Sequence, residues 1–212
     1  MKGYIIKWII FLSILMLIRF FLFEVYEVSQ NSMENTFKNG ARVGIQKSFY
    51  KIRREDILVF TKGKKRMIKR CIGLPGDTVR ITAGATMVNG KLLPAPEKAI
   101  VRNTDKSTDL VALSSIYNTY RSKWDFGNFG PYVIPRKNMT IPLTGINRSL
   151  YRHIIEQEIA PALLDELKSD YTFRNDYYFL IGDNRYQSED SRMFGPISKH
   201  QITGKVIIDF RN

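Results

Sequence analysis

The longest unbroken apolar pattern in the chain opens it. Tyr4 to Phe23 reads YIIKWIIFLSILMLIRFFLF, and twenty residues of helix reach roughly 30 Å, the thickness of a bilayer's hydrocarbon core. Trp8 to Ile18 has the length and apolarity of a signal-peptide core, yet Arg19, Phe20, Phe21, Leu22, Phe23 and Glu24 follow where a cleavable signal needs small residues. Lys7 and Arg19 lie close enough to the ends to reach the interface. The pattern predicts an uncleaved transmembrane anchor over residues 4–23 behind a short tail, residues 1–3.

From Val25 onward the period changes to two. Short alternating or β-branched runs at Ala41–Gln46, Asp56–Phe60 and Arg66–Ile72 are separated by the turn signals Lys38-Asn39-Gly40 and Gly73-Leu74-Pro75-Gly76-Asp77. Asn89-Gly90 between apolar flanks predicts a two-residue hairpin. Residues 94–176 differ, with proline-bearing loops, a polar run over 102–109 and helical spacing over Asp109–Tyr120 and Ser149–Lys168. Strand character returns at Tyr177–Ile181 and Gly204–Phe210. The expected architecture is therefore mostly β with a mixed α/β insertion. The β core would occupy residues 24–93 and 177–212, with the insertion over 94–176 between them.

Charge then bears on placement. The chain carries 33 basic and 20 acidic residues, net +13, a balance suited to nucleic acid or to an anionic membrane. Lys2 and Lys7 stand at the start of the span and Glu24 and Glu27 beyond its end. The positive-inside tendency puts the tail in the cytoplasm and residues 24–212 on the exported side, away from nucleic acid. Membrane lipid is thus the expected partner of the basic patch Lys62, Lys64, Lys65, Arg66, Lys69 and Arg70. The single cysteine, Cys71, excludes an internal disulfide and a multi-thiolate cluster. With only His153 and His200 besides, no metal and no organic cofactor is implied.

Three polar constellations interrupt the apolar pattern. The first is Ser29-Gln30-Asn31-Ser32-Met33-Glu34-Asn35-Thr36, directly after the span. The second is Lys69-Arg70-Cys71-Ile72-Gly73-Leu74-Pro75-Gly76-Asp77-Thr78-Val79, a strand that ends in a tight turn. The third is Gly182-Asp183-Asn184-Arg185-Tyr186-Gln187-Ser188-Glu189-Asp190-Ser191-Arg192, a loop after an aromatic strand. Taken singly, each also reads as ordinary structure: a turn serine, one lysine of a basic run, a loop satisfied by its own side chains.

Together, and in this order behind an anchor, they resemble the type I signal peptidases, membrane-anchored serine proteases that cleave leader sequences from exported proteins. The likeness rests on Ser32-Met33 with Thr36, on KRxxGxPGDxV at Lys69 to Val79, and on GDNRxxSxDSRxxG at Gly182 to Gly195. It covers residues 4–80 and 177–210 and touches the insertion only at places such as Val88–Lys91 and Phe129–Pro131.

The resemblance implies a Ser–Lys dyad, with Ser32 as nucleophile and a neutral Lys69 as general base. It gives Ser188 the orientation of the lysine amine, makes Asp190 and Arg192 an ion pair bracing the loop, and has Asp183 and Arg185 fix its turn. The oxyanion donor would be the Ser32 backbone N–H, with Gln30 where some members carry a second hydroxyl. The proline usual two residues after the methionine is Asn35, and the following glycine-aspartate is Gly40-Ala41. Substrates would be signal-peptide-bearing preproteins with small residues before the cut, bound as an added strand. The matching pocket walls are Tyr26, Val28, Met33, Phe37, Met67 and Ile68. On a strand, Lys69 shares its face with Met67 and Cys71 rather than with Arg66 and Arg70, which favours a desolvated amine. The resemblance also implies a bacterial cytoplasmic membrane location.

Other readings of the same residues are an inactive paralogue, a related Ser–Lys maturation peptidase, and an anchored basic module that binds lipid. Ser48-Phe49-Tyr50-Lys51 is a formal S-x-x-K, but the S-D-N and K-T-G that chemistry needs are replaced by Gly182-Asp183-Asn184 and Thr203-Gly204-Lys205.

Overall fold

A computed structural model of the chain describes residues 2–29, 31–34, 36–97, 99–100, 110–159, 161–164, 166–167 and 169–210. The apolar start is one helix, α1 (Lys2–Leu22). Within it Gly3–Leu22, with a mean hydropathy of 2.4, is long and apolar enough to cross a membrane. The helix stops one residue before the expected Phe23, where the alternation of a strand takes over. In β1 (Phe23–Glu27), Glu24 and Tyr26 turn inward while Phe23, Val25 and Glu27 face out. The Lys47 N–H donates to the Leu22 carbonyl at 2.8 Å and ties the helix end to the sheet.

The strands that follow are β2 (Arg42–Gln46), β3 (Ile57–Lys62), β4 (Lys65–Gly73), β5 (Thr78–Thr82), β6 (Ala85–Val88), β7 (Lys91–Leu92) and β8 (Phe129–Val133). Then come β9 (Thr140–Pro142), β10 (Asp170–Thr172), β11 (Tyr177–Ile181), β12 (Ile197–Ser198) and β13 (Ile202–Asp209). Among the described residues the larger sheet has the order β1-β2-β13-β3-β4-β11-β12, the smaller one β7-β6-β5-β8, and β9 pairs with β10 alone. The hairpin at Asn89-Gly90 forms as the sequence predicts, with φ of 52° and 77° at its two turn residues, the left-handed pair that a tight hairpin requires.

The helices are α2 (Leu110–Tyr120), α3 (Gly145–Glu158), α4 (Pro161–Leu164) and α5 (Ser191–Phe194). The chain is thus the mostly β architecture expected, with a mixed central region. The helical pattern over Ser149–Lys168 is two helices rather than one. It starts earlier because the Thr144 hydroxyl caps α3 by accepting the Asn147 N–H at 3.2 Å. It breaks after Glu158, where Ile159 is extended and Pro161 begins α4.

Among the described residues three apolar clusters hold these layers. The largest joins the smaller sheet to α2, α3 and β11, and is rich in rings such as Tyr120, Phe129, Tyr132, Tyr151 and Phe179. The other two lie on opposite faces of the larger sheet: Val43, Ile45, Val59 and Ile68 on one, Leu58, Phe60, Met67 and Cys71 on the other. Adjacent residues of β3 and β4 fall on alternate sides, as a pleated strand demands. The edge of β4 that faces away from β3 is covered by β11 only from Arg70 to Gly73. That gap is where the polar constellations meet.

Candidate active site

Ser32 sits in a single 3-10 turn, Asn31–Met33, which presses Met33 into the apolar cluster below it. The turn is held from both sides. Glu34 N–H donates to the Asn31 carbonyl at 3.0 Å, and Phe37 N–H to the Met33 carbonyl at 2.7 Å. The Asn184 N–H, from the loop after β11, donates to the Ser32 carbonyl at 3.0 Å, and its side-chain amide reaches the Asn31 carbonyl. The serine therefore has a fixed backbone and a hydroxyl free to turn toward β4.

There it meets Lys69. Nζ of Lys69 and Oγ of Ser32 are 2.7 Å apart. The lysine is 0% exposed and the serine 5%. Burial is the main force driving the amine downward. Asp190 and Glu189 pull it back up, Arg192 opposes them, and the balance lies at about 8 against an ordinary 10.5. Two other cations of the strand are placed differently: Lys65 is exposed beside Glu189 at 3.6 Å, and Arg70 is paired with Asp183.

The third constellation walls the amine in. Asp190 and Arg192 are both fully buried, and their side chains are joined by two hydrogen bonds, Nε to Oδ1 at 2.9 Å and Nη2 to Oδ2 at 2.7 Å. Burial works to raise the Asp190 carboxyl, but the charge and hydrogen bonds of Arg192 outweigh it and keep the group below the usual carboxylate range. The same guanidinium donates to the Arg185 carbonyl at 2.6 Å and lies 4.4 Å over the Phe126 ring.

Asp183 and Arg185 work apart. Asp183 accepts two hydrogen bonds from Arg70, at 2.9 and 2.7 Å, and one from the Thr36 hydroxyl at 2.6 Å. Arg185 instead donates to the Thr86 hydroxyl at 3.0 Å, binding the loop to the smaller sheet. Ser188 is buried beneath Gly182 but makes no hydrogen bond to Lys69. Its hydroxyl has no partner of good geometry among the described residues, and it stands close enough to Asp190 to help hold that carboxylate ionised.

Of the expected pocket residues, Tyr26, Val28, Met33, Phe37 and Ile68 gather in one buried cluster. Met67 lies on the other face of β4 with Leu58, Phe60 and Cys71, because neighbouring strand residues point to opposite sides. Gln30 and Asn35 lie outside the described residues. Asn184, Arg70 and Gly182 also bear on the geometry, although the motif reading assigns them no separate role. All three stand inside the quoted motifs, but their partners are distant in the chain and no local pattern announces them. His153 is packed edge-on against Tyr120 with ring centroids 5.1 Å apart, and burial pushes its pKa down to about 3. His200 contacts Asn175 on the surface.

Known proteins with these features can be set beside the chain. A family model described as signal peptidase, peptidase S26, matches residues 1–210. A signal peptidase IB from Staphylococcus aureus (strain COL) is 28% identical over 220 residues, spanning 99% of this chain and 91% of that protein. Signal peptidase I of Bacillus licheniformis is 27% identical over 213 residues, spanning 96% and 87%. A crystal structure of a signal peptidase I from Enterococcus faecalis V583 is 24% identical, covers 76% of this chain and 100% of that one, and superposes with a TM-score of 0.37.

Proposed function

Because the chain belongs to the signal peptidase family, peptidase S26, it is a serine protease that removes signal peptides, and we propose that Ser32 and Lys69 carry out the cleavage. The observation that carries this assignment is the 2.7 Å contact between Ser32 Oγ and a fully buried lysine amine. A neutral Lys69 accepts the Ser32 hydroxyl proton as Oγ attacks the scissile carbonyl. The resulting ammonium returns the proton to the leaving amine, and the carbonyl carbon stays bonded to Oγ as an ester. Water then repeats the sequence, with Lys69 taking its proton, and the acid is released from Ser32. The negative oxygen that forms twice along this path faces the first turn of Asn31–Met33. N–H groups at the start of such a turn have no partner within it, so the Ser32 N–H is the natural donor.

In this reading α1 anchors the enzyme with its amino terminus in the cytoplasm and holds residues 24–212 on the outer face of the bacterial cytoplasmic membrane. The substrate segment before the cut lies as an added strand between Val28 and Ile68. Tyr26, Val28, Met33, Phe37 and Ile68 leave little room around it, so small residues in an Ala-x-Ala pattern are preferred before the cut.

The test is cleavage of a detergent-solubilised preprotein, with product termini read by mass spectrometry over a range of pH. Cleavage after a small residue is expected, with kcat/KM rising with pH through an apparent pKa near 8, since only the neutral amine is active. No cleavage by the folded enzyme, or an acidic limb near the carboxylate range, would remove the assignment. Gly182 supplies a further expectation. A Cβ there would stand 2.2 Å from Ser188 Oγ and 2.5 Å from the Ser32 carbonyl oxygen. Gly182→Ala must therefore move the serine, and a displacement near 1 Å is expected to lower kcat about 100-fold.

A further inference from the structure

The groove that would take this strand is not open along its whole length. β4 is paired by β3 on one side, while residues 65–69 have no strand on the other side among the described residues. Among the described residues β1 likewise pairs with β2 alone. Between these two bare edges, the Tyr26 hydroxyl donates to the Arg66 carbonyl at 3.2 Å. In an antiparallel ladder alternate residues turn their N–H and C=O to the same side, so Ile68 faces the groove as Arg66 does. Tyr26 thus occupies a backbone acceptor that a peptide strand extending past Ile68 would need.

Two further contacts fasten that arrangement. Arg66 grips the Glu24 carboxylate with both terminal nitrogens, Nη1 to Oε1 and Nη2 to Oε2, the latter at 3.0 Å. Its guanidinium carbon also stands 5.2 Å from the centre of the Tyr26 ring. Arg66 holds Glu24 below the ordinary carboxylate range. Both charged side chains keep about a third of their surface in water, so the pair can open without stranding a buried charge. Tyr26, by contrast, is 8% exposed. The three residues come from the two strands that flank the groove, and the groove is closed wherever they meet.

We infer that Glu24, Tyr26 and Arg66 form a clasp across the substrate groove, which a preprotein segment must open to pair with β4 beyond Ile68. The inference rests on the reading that the segment before the cut runs along β4 from Lys69 toward Arg66. A substrate N–H then replaces the Tyr26 hydroxyl on the Arg66 carbonyl, and the Glu24–Arg66 pair swings toward solvent. Peptides that end at Ile68 leave the clasp shut. The clasp therefore limits how many residues upstream of the cut contribute to recognition.

A set of peptides sharing one cleavage site, shortened one residue at a time from the amino end, tests this with the full-length enzyme in detergent. Glu24→Gln is expected to lower KM for the long members by about 2- to 5-fold, the range of a part-exposed ion pair, with kcat and the short members unmoved. Tyr26→Phe keeps the ring that lines the pocket and removes the competing donor, and is expected to lower KM for the long members about 5-fold more than for the short ones. Equal shifts for long and short peptides, or no shift for the long ones, would overturn the clasp while leaving the peptidase assignment intact. Failure of wild type to cut any member would overturn the assignment and the clasp with it. Thermal melts of both variants matching wild type would show that the fold is unchanged.

Discussion

Lys69→Met is expected to abolish cleavage and, at neutral pH, to make the protein more stable. The loss follows from the proposed chemistry: removing one member of a nucleophile–base pair costs on the order of 10⁶-fold in kcat, and Ser32→Ala should match it. The gain follows from burial. The amine's pKa is about 8 in the fold against 10.5 for an ordinary lysine, which corresponds to about 3 kcal/mol of penalty for the charged form. Below pH 8 the amine is charged in both folded and unfolded chains, and the fold carries that cost in full. Between pH 8 and 10.5 the unfolded chain binds more protons, so wild-type stability climbs with pH; above 10.5 both forms are neutral and the cost is gone. Methionine, of similar length and without charge, has no such slope. The variant should therefore exceed wild type by about 1–3 kcal/mol at pH 7, after allowance for the lost Ser32 hydrogen bond, and the gap should close by pH 10.5. Urea titrations at the two pH values, beside single-turnover cleavage, read both effects. A variant less stable than wild type at pH 7, or one that still cuts, would contradict a buried neutral base.

How much of this was legible beforehand differs from link to link. Strand alternation correctly separates Lys69 from Arg66 and Arg70, because a period of two is a property of the strand itself. Asn89-Gly90 announces its own turn, since few residue pairs tolerate two left-handed conformations. The end of α3 is harder to read: apolar spacing continues through Leu163 and Leu167, while the backbone breaks at Ile159 and starts again at Pro161. The smaller sheet is harder still, because β5 pairs with β8 across about fifty intervening residues. For the candidate site, Ser32 and Lys69 rest on the family resemblance, and neither spacing nor charge alone singles them out. Local pattern also says nothing of Arg70 gripping Asp183 across 113 positions, or of Asn184 holding the Ser32 carbonyl. Those contacts exist only once β11 has been laid beside β4.

Arg192→Met is expected to cost more stability than any other substitution considered, and the reason lies in what it leaves behind. Asp190 is fully buried and accepts hydrogen bonds from Arg192 Nε and Nη2, from the Arg192 N–H at 3.1 Å, and from the Gly182 N–H at 3.2 Å. Without the guanidinium the carboxylate keeps its backbone donors and loses its counter-charge. Stranding one partner of a buried pair costs about 3–5 kcal/mol. The pH dependence identifies the cause. In wild type the carboxyl is held low by Arg192, so its stabilising contribution is full above the unfolded carboxylate pKa and is lost as pH falls through the lower folded value. In the variant, burial dominates and the carboxyl is raised, so acidification neutralises it and narrows the deficit. Asp190→Leu added to Arg192→Met should recover most of the loss, since an apolar pair of similar volume avoids the desolvation altogether. The same change reaches the proposed base. Asp190 raises the Lys69 pKa and Arg192 lowers it, so the single variant should move the acidic limb of cleavage to higher pH, whereas the double variant should bring it back. An unmoved limb would mean that the buried pair braces the loop without tuning the amine.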